Sequence, residues 1–381
     1  MLKLGRKPPS EKFLILEAHT GRTKGVLLAV DDDRALRLTK QWDNFPTAKF
    51  LKHRTKTSRL PWKAGHMNVV VSADPALAAT LTLPVAFDHS AKSPITSLDL
   101  ENIFAQAIGK VFSEYRKAAS AHLDTTELHT ILVGNRVTHF TVDGREHKLV
   151  YDATGKKIKA VLELTFTTRD LFEPWKSFFN APDDFFFTEA ARAELHALGK
   201  VTPVPLHLVI AGPERAFAFA AKGGAEVVSL RRGEVGWLPA GFIGTIGAAL
   251  GVSLGVAREM YGRYLRREIS ENATRHFDRM LLPHAESLAK ELRRQKFAKP
   301  LFVDSHMPLP AFMASRVGIS EAPLAPLLAK AGFSLNAGEW GMEEPQIFRT
   351  LAPFFEFYFD RTDSPLNHRL RRRLHWLGSS N

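Results

Sequence analysis

A chain of 381 residues, 45% hydrophobic and 24% charged, is long enough to bury more than one core and too apolar to stay disordered. It contains no cysteine, which excludes disulfides, thiolate metal sites and thiol nucleophiles and suits a reducing compartment. The formal charge of +12 points to an acidic partner, either nucleic acid or an anionic membrane surface.

The first residues, Met1 to Lys12, offer no apolar core for a signal peptide, so the reading is cytoplasmic. Residues 13–18, 25–31 and 35–41 read as three short strands in meander, with Asp31-Asp-Asp33 as a polar turn. A basic, turn-rich stretch from Lys49 to Lys63 precedes a fourth strand, Met67 to Ser72. Leu98 to Ala121 carries an apolar helical stripe: Ile103, Phe104, Ala107, Ile108, Val111, Phe112 and Tyr115. Strands are expected at 130–133, 137–142 and 160–166, divided by Asp143-Gly144 and Thr154-Gly155 turns, which makes a small α+β insert.

The opening order then returns. Strands are expected at 206–211, 215–221 and 225–230, with Lys222-Gly-Gly224 as a tight turn, then helices from about 241 to 297 and a strand at 301–303. Val235 to Ala257 has no charged residue and tempts a membrane-span reading, but Pro239 and six glycines favour a turn and a closely packed internal helix. After the aromatic segment 353–359 the chain ends in a basic amphipathic stretch. Leu366, Leu370, Leu374 and Leu377 share one helical face, flanked by Arg371, Arg372, Arg373 and Trp376. That composition suits an anionic bilayer surface; a helix docked on its own domain and a solvated basic end are the alternatives. The basic clusters at Lys49–Lys63 and Arg263–Arg267 lack aromatic interleaving, so they read as solvated faces and nucleic acid is not the expected partner.

The two hairpin segments, Phe13–Val30 and Leu206–Ala221, carry a resemblance. The first turn reads Glu17-Ala-His-Thr-Gly-Arg-Thr-Lys24-Gly25 and matches four of nine positions of the turn Asp-Ile-Gly-Thr-Gly-Ser-x-Lys-Gly. That turn typifies the actin-like family of bacterial FtsA and PilM proteins, which the chain resembles over most of residues 13–320. The helix Ile243–Arg258 and the insert are also similar to that family's. The resemblance implies an α/β fold of two actin-like (ribonuclease H-like) halves with a small α+β subdomain inserted in the first. The expected partition is 11–78 and 169–200 for the first half, 79–168 for the insert, 201–360 for the second half, and 361–381 for a linker and tail.

The family's ligand is ATP with magnesium, which the resemblance places at Glu17, Thr20, Gly21, Lys24 and Gly212 as a residual phosphate site. For Thr20, Gly21, Lys24 and Gly212 the first reading is turn and rim residues kept by hairpin geometry, and residual phosphate contact is the second. The departures weaken the clamp. Glu17 stands for the metal-holding Asp, and His19 replaces a turn glycine where its side chain would crowd phosphate. Ile210-Ala-Gly-Pro213 lacks the acid of the second hairpin and one N–H donor, and Asp304-Ser-His-Met-Pro308 lacks the glycines that admit adenosine. His19 and His306 have no partner visible at ligand spacing and read as solvent-facing. The reading is a scaffold at the inner membrane surface that recruits division or pilus-assembly partners, with self-assembly implied by the family. The alternative is an active ATPase or small-molecule kinase of the same fold.

Overall fold

The computed structural model describes residues 11–52, 67–89, 93–147, 153–179, 185–202, 205–222, 229–336, 338 and 340–363. In chain order these form β1 (Glu11–His19), β2 (Arg22–Val30), β3 (Ala35–Pro46), α1 (Thr47–Lys52), β4 (Met67–Ala73), β5 (Ala78–Asp88), α2 (Ser97–His122), β6 (Thr130–Val142), β7 (Arg145–Glu146) and β8 (Lys157–Thr168). There follow α3 (Arg169–Phe179), β9 (Phe185–Glu189), α4 (Ala190–Val201), β10 (Leu206–Ala211), β11 (Ala216–Lys222), β12 (Ser229–Val235), α5 (Gly241–Leu250), α6 (Leu254–Leu265) and α7 (Glu271–Arg294). The described elements end with β13 (Leu301–Ser305), α8 (Ala311–Val317), α9 (Leu324–Ala331), β14 (Ser334–Leu335) and α10 (Glu344–Asp363).

Two compact units result, one built from the chain up to Thr202 and again from Pro323, the other from Pro203–Lys222 and Leu230–Ala322. In the first unit the main sheet runs β14-β3-β2-β1-β4-β9, with β1, β2 and β3 antiparallel and β4 and β9 continuing parallel to β1. β1 is buried on both faces, which its unbroken apolar run Phe13–Leu16 requires. Leu14, Leu16 and Ala18 pack with Val69, Val71 and Trp175, while Phe13 meets Phe354 of α10 edge-to-face at 4.8 Å between ring centres. That aromatic contact explains a departure from the sequence reading. Residues 323–360, expected in the second half, return to the first unit because the aromatic face of α10 covers β1.

Residues 78–168 build a separate four-stranded sheet, β5-β8-β6-β7, with its own apolar cluster that includes Leu100, Phe104, Leu162 and Phe166. Two expected strands merge here. β6 runs unbroken over thirteen residues, and its pairing with β8 takes up Gly134 through a register shift between Leu132 and Gly134. β5 was not foreseen, since Pro84 interrupts its pattern. At the Asp143-Gly144 turn both residues take positive φ, 49° and 80°, the geometry of a two-residue hairpin. The Thr154-Gly155 pair is not a hairpin turn; Gly155 is needed for space, since a Cβ there would meet Val142 Cγ1 at 2.2 Å.

The second unit repeats the first arrangement as β12-β11-β10-β13, with β10 and β11 antiparallel and β13 parallel to β10. β12 lies four residues later than the strand expected at 225–230, whose residues before Ser229 fall outside the described ones, as does the Gly223-Gly224 turn. The charge-free run is not one span: α5 and α6 bend by 107° at a break around Gly251, which adopts left-handed backbone. Phe242, Ile246, Ala257 and Tyr261 bury their inner face against Leu281, Ala285 and Leu288 of α7. Among the described residues no single helix is long and apolar enough to cross a membrane.

Candidate functional site

β1 delivers Glu17 to the face covered by α10, because alternate residues of the strand share a side. Glu17 is buried, and both carboxylate oxygens meet partners within the first unit. Thr350 Oγ1 donates to Oε1 at 3.1 Å, while Arg349 Nε lies 3.3 Å from Oε2. His19 Nε2 approaches the same oxygen at 3.7 Å, and His19 Nδ1 lies 3.3 Å from Asp74 Oδ2. Asp74 is fixed in turn, since its other oxygen accepts from the backbone N–H of Ala76 at 2.8 Å and its own N–H bonds the carbonyl of Ala18. The result is a chain of alternating charge, Asp74, His19, Glu17, Arg349.

The electrostatics follow from that order. Burial alone pushes the Glu17 carboxyl up, but the Arg349 charge and the His19 imidazole together outweigh it and hold the group well below the usual carboxylate range. Burial pulls His19 down, yet its bonds to Asp74 and Glu17 prevail and push it up to about 9. His19 is therefore an imidazolium near neutrality. It is not solvent-facing, as its sequence position suggested; its side chain is 19% exposed and closes on two acids.

The other sequence-flagged residues divide. Lys24 sits opposite Glu17 in the β1–β2 register and lines the same cavity of about 300 Å³, with Gln41, Trp42, Gln346, Arg349 and Thr350. Thr20 and Gly21 form the exposed two-residue turn between His19 and Arg22, and Gly21 supplies its positive φ of 66°. Gly25 serves packing, since a Cβ there would meet Leu16 Cδ2 at 2.8 Å. In the second unit Gly212 is buried and its N–H is committed to the carbonyl of Arg215 at 3.0 Å. His306 turns its ring nitrogen Nδ1 to the carbonyl oxygen of Ala211, 3.1 Å away. Leu366, Leu370, Arg371, Arg372, Arg373, Leu374, Trp376 and Leu377 lie outside the described residues, as does most of the Lys49–Lys63 stretch.

Sequence reasoning missed Asp74, Arg349 and Thr350. No local motif marks them, and Thr350 stands 333 positions from its partner Glu17.

A second buried polar cluster lies elsewhere in the first unit. Arg192 Nε sits 3.1 Å from Glu163 Oε2 and 3.0 Å from Glu356 Oε1, and Thr188 Oγ1 donates to Glu356 Oε2 at 2.7 Å. Burial raises the Glu356 carboxyl above its ordinary range against the opposing pull of Arg192. These residues come from β8, β9, α4 and α10, so the cluster pins the separate sheet to the main one.

Both units set an antiparallel hairpin beside a parallel strand, β1–β2 with β4 and β10–β11 with β13, each hairpin carrying a third strand on its outer side; this is the actin-like arrangement, and the chain is an α/β protein of that fold. No protein-family model and no curated protein matches its sequence. Among solved structures it is similar to the PilM-PilN type IV pilus biogenesis complex at 11% identity, over 96% of this chain and 99% of that one, with a TM-score of 0.49. It is also similar to a diol dehydratase-reactivating factor in nucleotide-free form, at 9% identity over 91% and 99% of the two chains, TM-score 0.38. A third likeness is the cytoplasmic domain of EpsL, an inner membrane component of the Vibrio cholerae type II secretion system, at 8% identity over 61% and 75%, TM-score 0.30.

Proposed function

We propose that this protein is an actin-like scaffold whose nucleotide clamp has been closed from within, and that it recruits assembly proteins at a membrane instead of turning over ATP. One observation carries the reading. The acid that should hold a hydrated magnesium ion, Glu17, already has Arg349, Thr350 and His19 against its two oxygens. A cation would have to displace an arginine and an imidazolium to reach it. The second hairpin supports the same view, because Gly212 spends its N–H inside the turn and Pro213 has none to give. These residues do not fit a magnesium-nucleotide cradle. The sequence resemblance to FtsA and PilM supplies the partner class, division or pilus-assembly proteins, and the basic C-terminal stretch supplies the contact with the inner membrane surface.

Calorimetry of the full chain with ATP and magnesium tests this. Each lost charge-assisted phosphate contact costs about 1.5–3 kcal/mol, so two or more weaken binding by roughly a hundredfold or beyond. Binding weaker than millimolar is expected. Micromolar affinity, or steady hydrolysis abolished by Glu17→Ala, would return the protein to the ATPases or kinases of its fold.

A further inference from the structure

The charge-free run Val235–Ala257 is only partly accounted for by the core of the second unit. Its inward residues are buried, but the corner where α5 meets α6 turns Gly244, Ala248, Ala249, Gly251, Leu254, Gly255 and Val256 outward. Leu254 is 62% exposed and Val256 45%; among the described residues they are the exposed large hydrophobics of this unit. Leu254 and Val256 stand in the first turn of α6, at the end of a run of 23 residues that carries no charge.

We infer that this corner is a membrane-contacting wedge, which sets Leu254 and Val256 into the headgroup region of an anionic bilayer. Charge selects the occupant. Arg258, Arg263 and Arg267, along α6 and just past its end, are all exposed against Glu259, while Arg266 and Glu268 answer each other at 2.7 and 2.9 Å. The second unit as a whole carries sixteen Lys and Arg against ten Asp and Glu. Exposed apolar residues in the first turn of α6, with exposed arginines further along the same helix, pair the two attractions an anionic membrane offers, apolar burial and phosphate charge. A protein partner fits less well: a stable interface takes roughly 20–30 residues from each side, and this corner presents two exposed large apolar side chains. The wedge is independent of the C-terminal stretch and goes beyond the attachment proposed above.

The absence of cysteine allows a direct test. Gly255→Cys places a single thiol on the corner with no closer contact than Ser253 Oγ at 3.9 Å. The full chain labelled there with a polarity-sensitive fluorophore is mixed with vesicles of phosphatidylcholine alone and of phosphatidylcholine with phosphatidylglycerol. A blue-shifted, brightened signal confined to the anionic vesicles is expected, together with a ~fivefold or greater loss of vesicle affinity in unlabelled Leu254→Glu/Val256→Glu. Both replaced side chains are exposed, so the thermal midpoint of that variant should match the parent. A probe that stays in water while the protein co-sediments overturns the wedge, leaving the C-terminal stretch as sole anchor. No change with either vesicle overturns it as well, and so does a probe shift that requires only a higher protein concentration, which would make the corner a self-association surface.

Discussion

Arg349 of α10 lies 3.3 Å from Glu17 of β1, so the charge on β1 is answered by a residue more than three hundred positions further along the chain. Breaking a buried pair from one side strands the other charge and costs about 3–5 kcal/mol. Arg349→Met should therefore lower unfolding free energy by that order in urea titration, and adding Glu17→Gln to it should recover a substantial part. If the single variant loses under ~1 kcal/mol, the guanidinium is not what neutralises Glu17.

His19 gives this site a pH signature. Its folded value, about 9, lies above the ordinary 6.5. A raised value means that the folded state holds the proton more tightly, so the stabilisation is complete below about 6.5 and disappears as pH rises through about 9. The loss is on the order of 3 kcal/mol. Glu17 acts in the opposite sense, its contribution fading only as pH falls below the ordinary carboxylate range. Thermal midpoints should drop between pH 7 and pH 10, and His19→Asn should flatten that limb while lowering stability at pH 7. An unchanged slope in the variant would place the titrating group elsewhere.

Arg192 holds Glu163 of the separate sheet and Glu356 of α10 at once. Arg192→Met should cost at least about 3 kcal/mol, because two buried carboxyls lose their shared cation, although Glu356 can relieve itself by taking a proton. Hydrogen exchange should then rise first in β8 and α4, where the cluster joins the two sheets. Exchange rising only in the second unit would contradict this.

What the sequence showed and hid follows from distance along the chain. The hairpins β1–β2 and β10–β11, the helix α2 and the charge-free run declare themselves through local periodicity and turn residues; the repeated strand order made two related halves legible, and the resemblance of the Glu17–Gly25 turn pointed to the actin-like fold. β5 hid because Pro84 breaks its alternation. The 130–133 and 137–142 strands looked separate because a bulge and a turn use the same glycine. Glu17 was legible as a site residue, but its neutralisation was not. Arg349 sits in a helix whose sequence advertises only aromatic packing, and His19 resembles an intruder in a phosphate turn until Asp74 is brought beside it by the parallel β1–β4 pairing.

The C-terminal stretch from Leu366 to Leu377 leads to the last prediction. Leu370, Leu374, Leu377 and Trp376 are its large apolar residues, and Arg371, Arg372 and Arg373 carry the charge. Each arginine near an anionic surface contributes about 1 kcal/mol, and the apolar burial adds a total of similar size, so on the proposed attachment neither contribution alone should hold the protein firmly. Binding should therefore fall both with salt and with loss of the leucines. Co-sedimentation with anionic liposomes should weaken by roughly tenfold or more in Leu370→Glu/Leu374→Glu. Raised salt should loosen the parent protein over the range in which the Debye length shrinks from about 10 Å to 3 Å. A variant that sediments as the parent does would assign this stretch to the folded body and remove the main anchor from the scaffold reading.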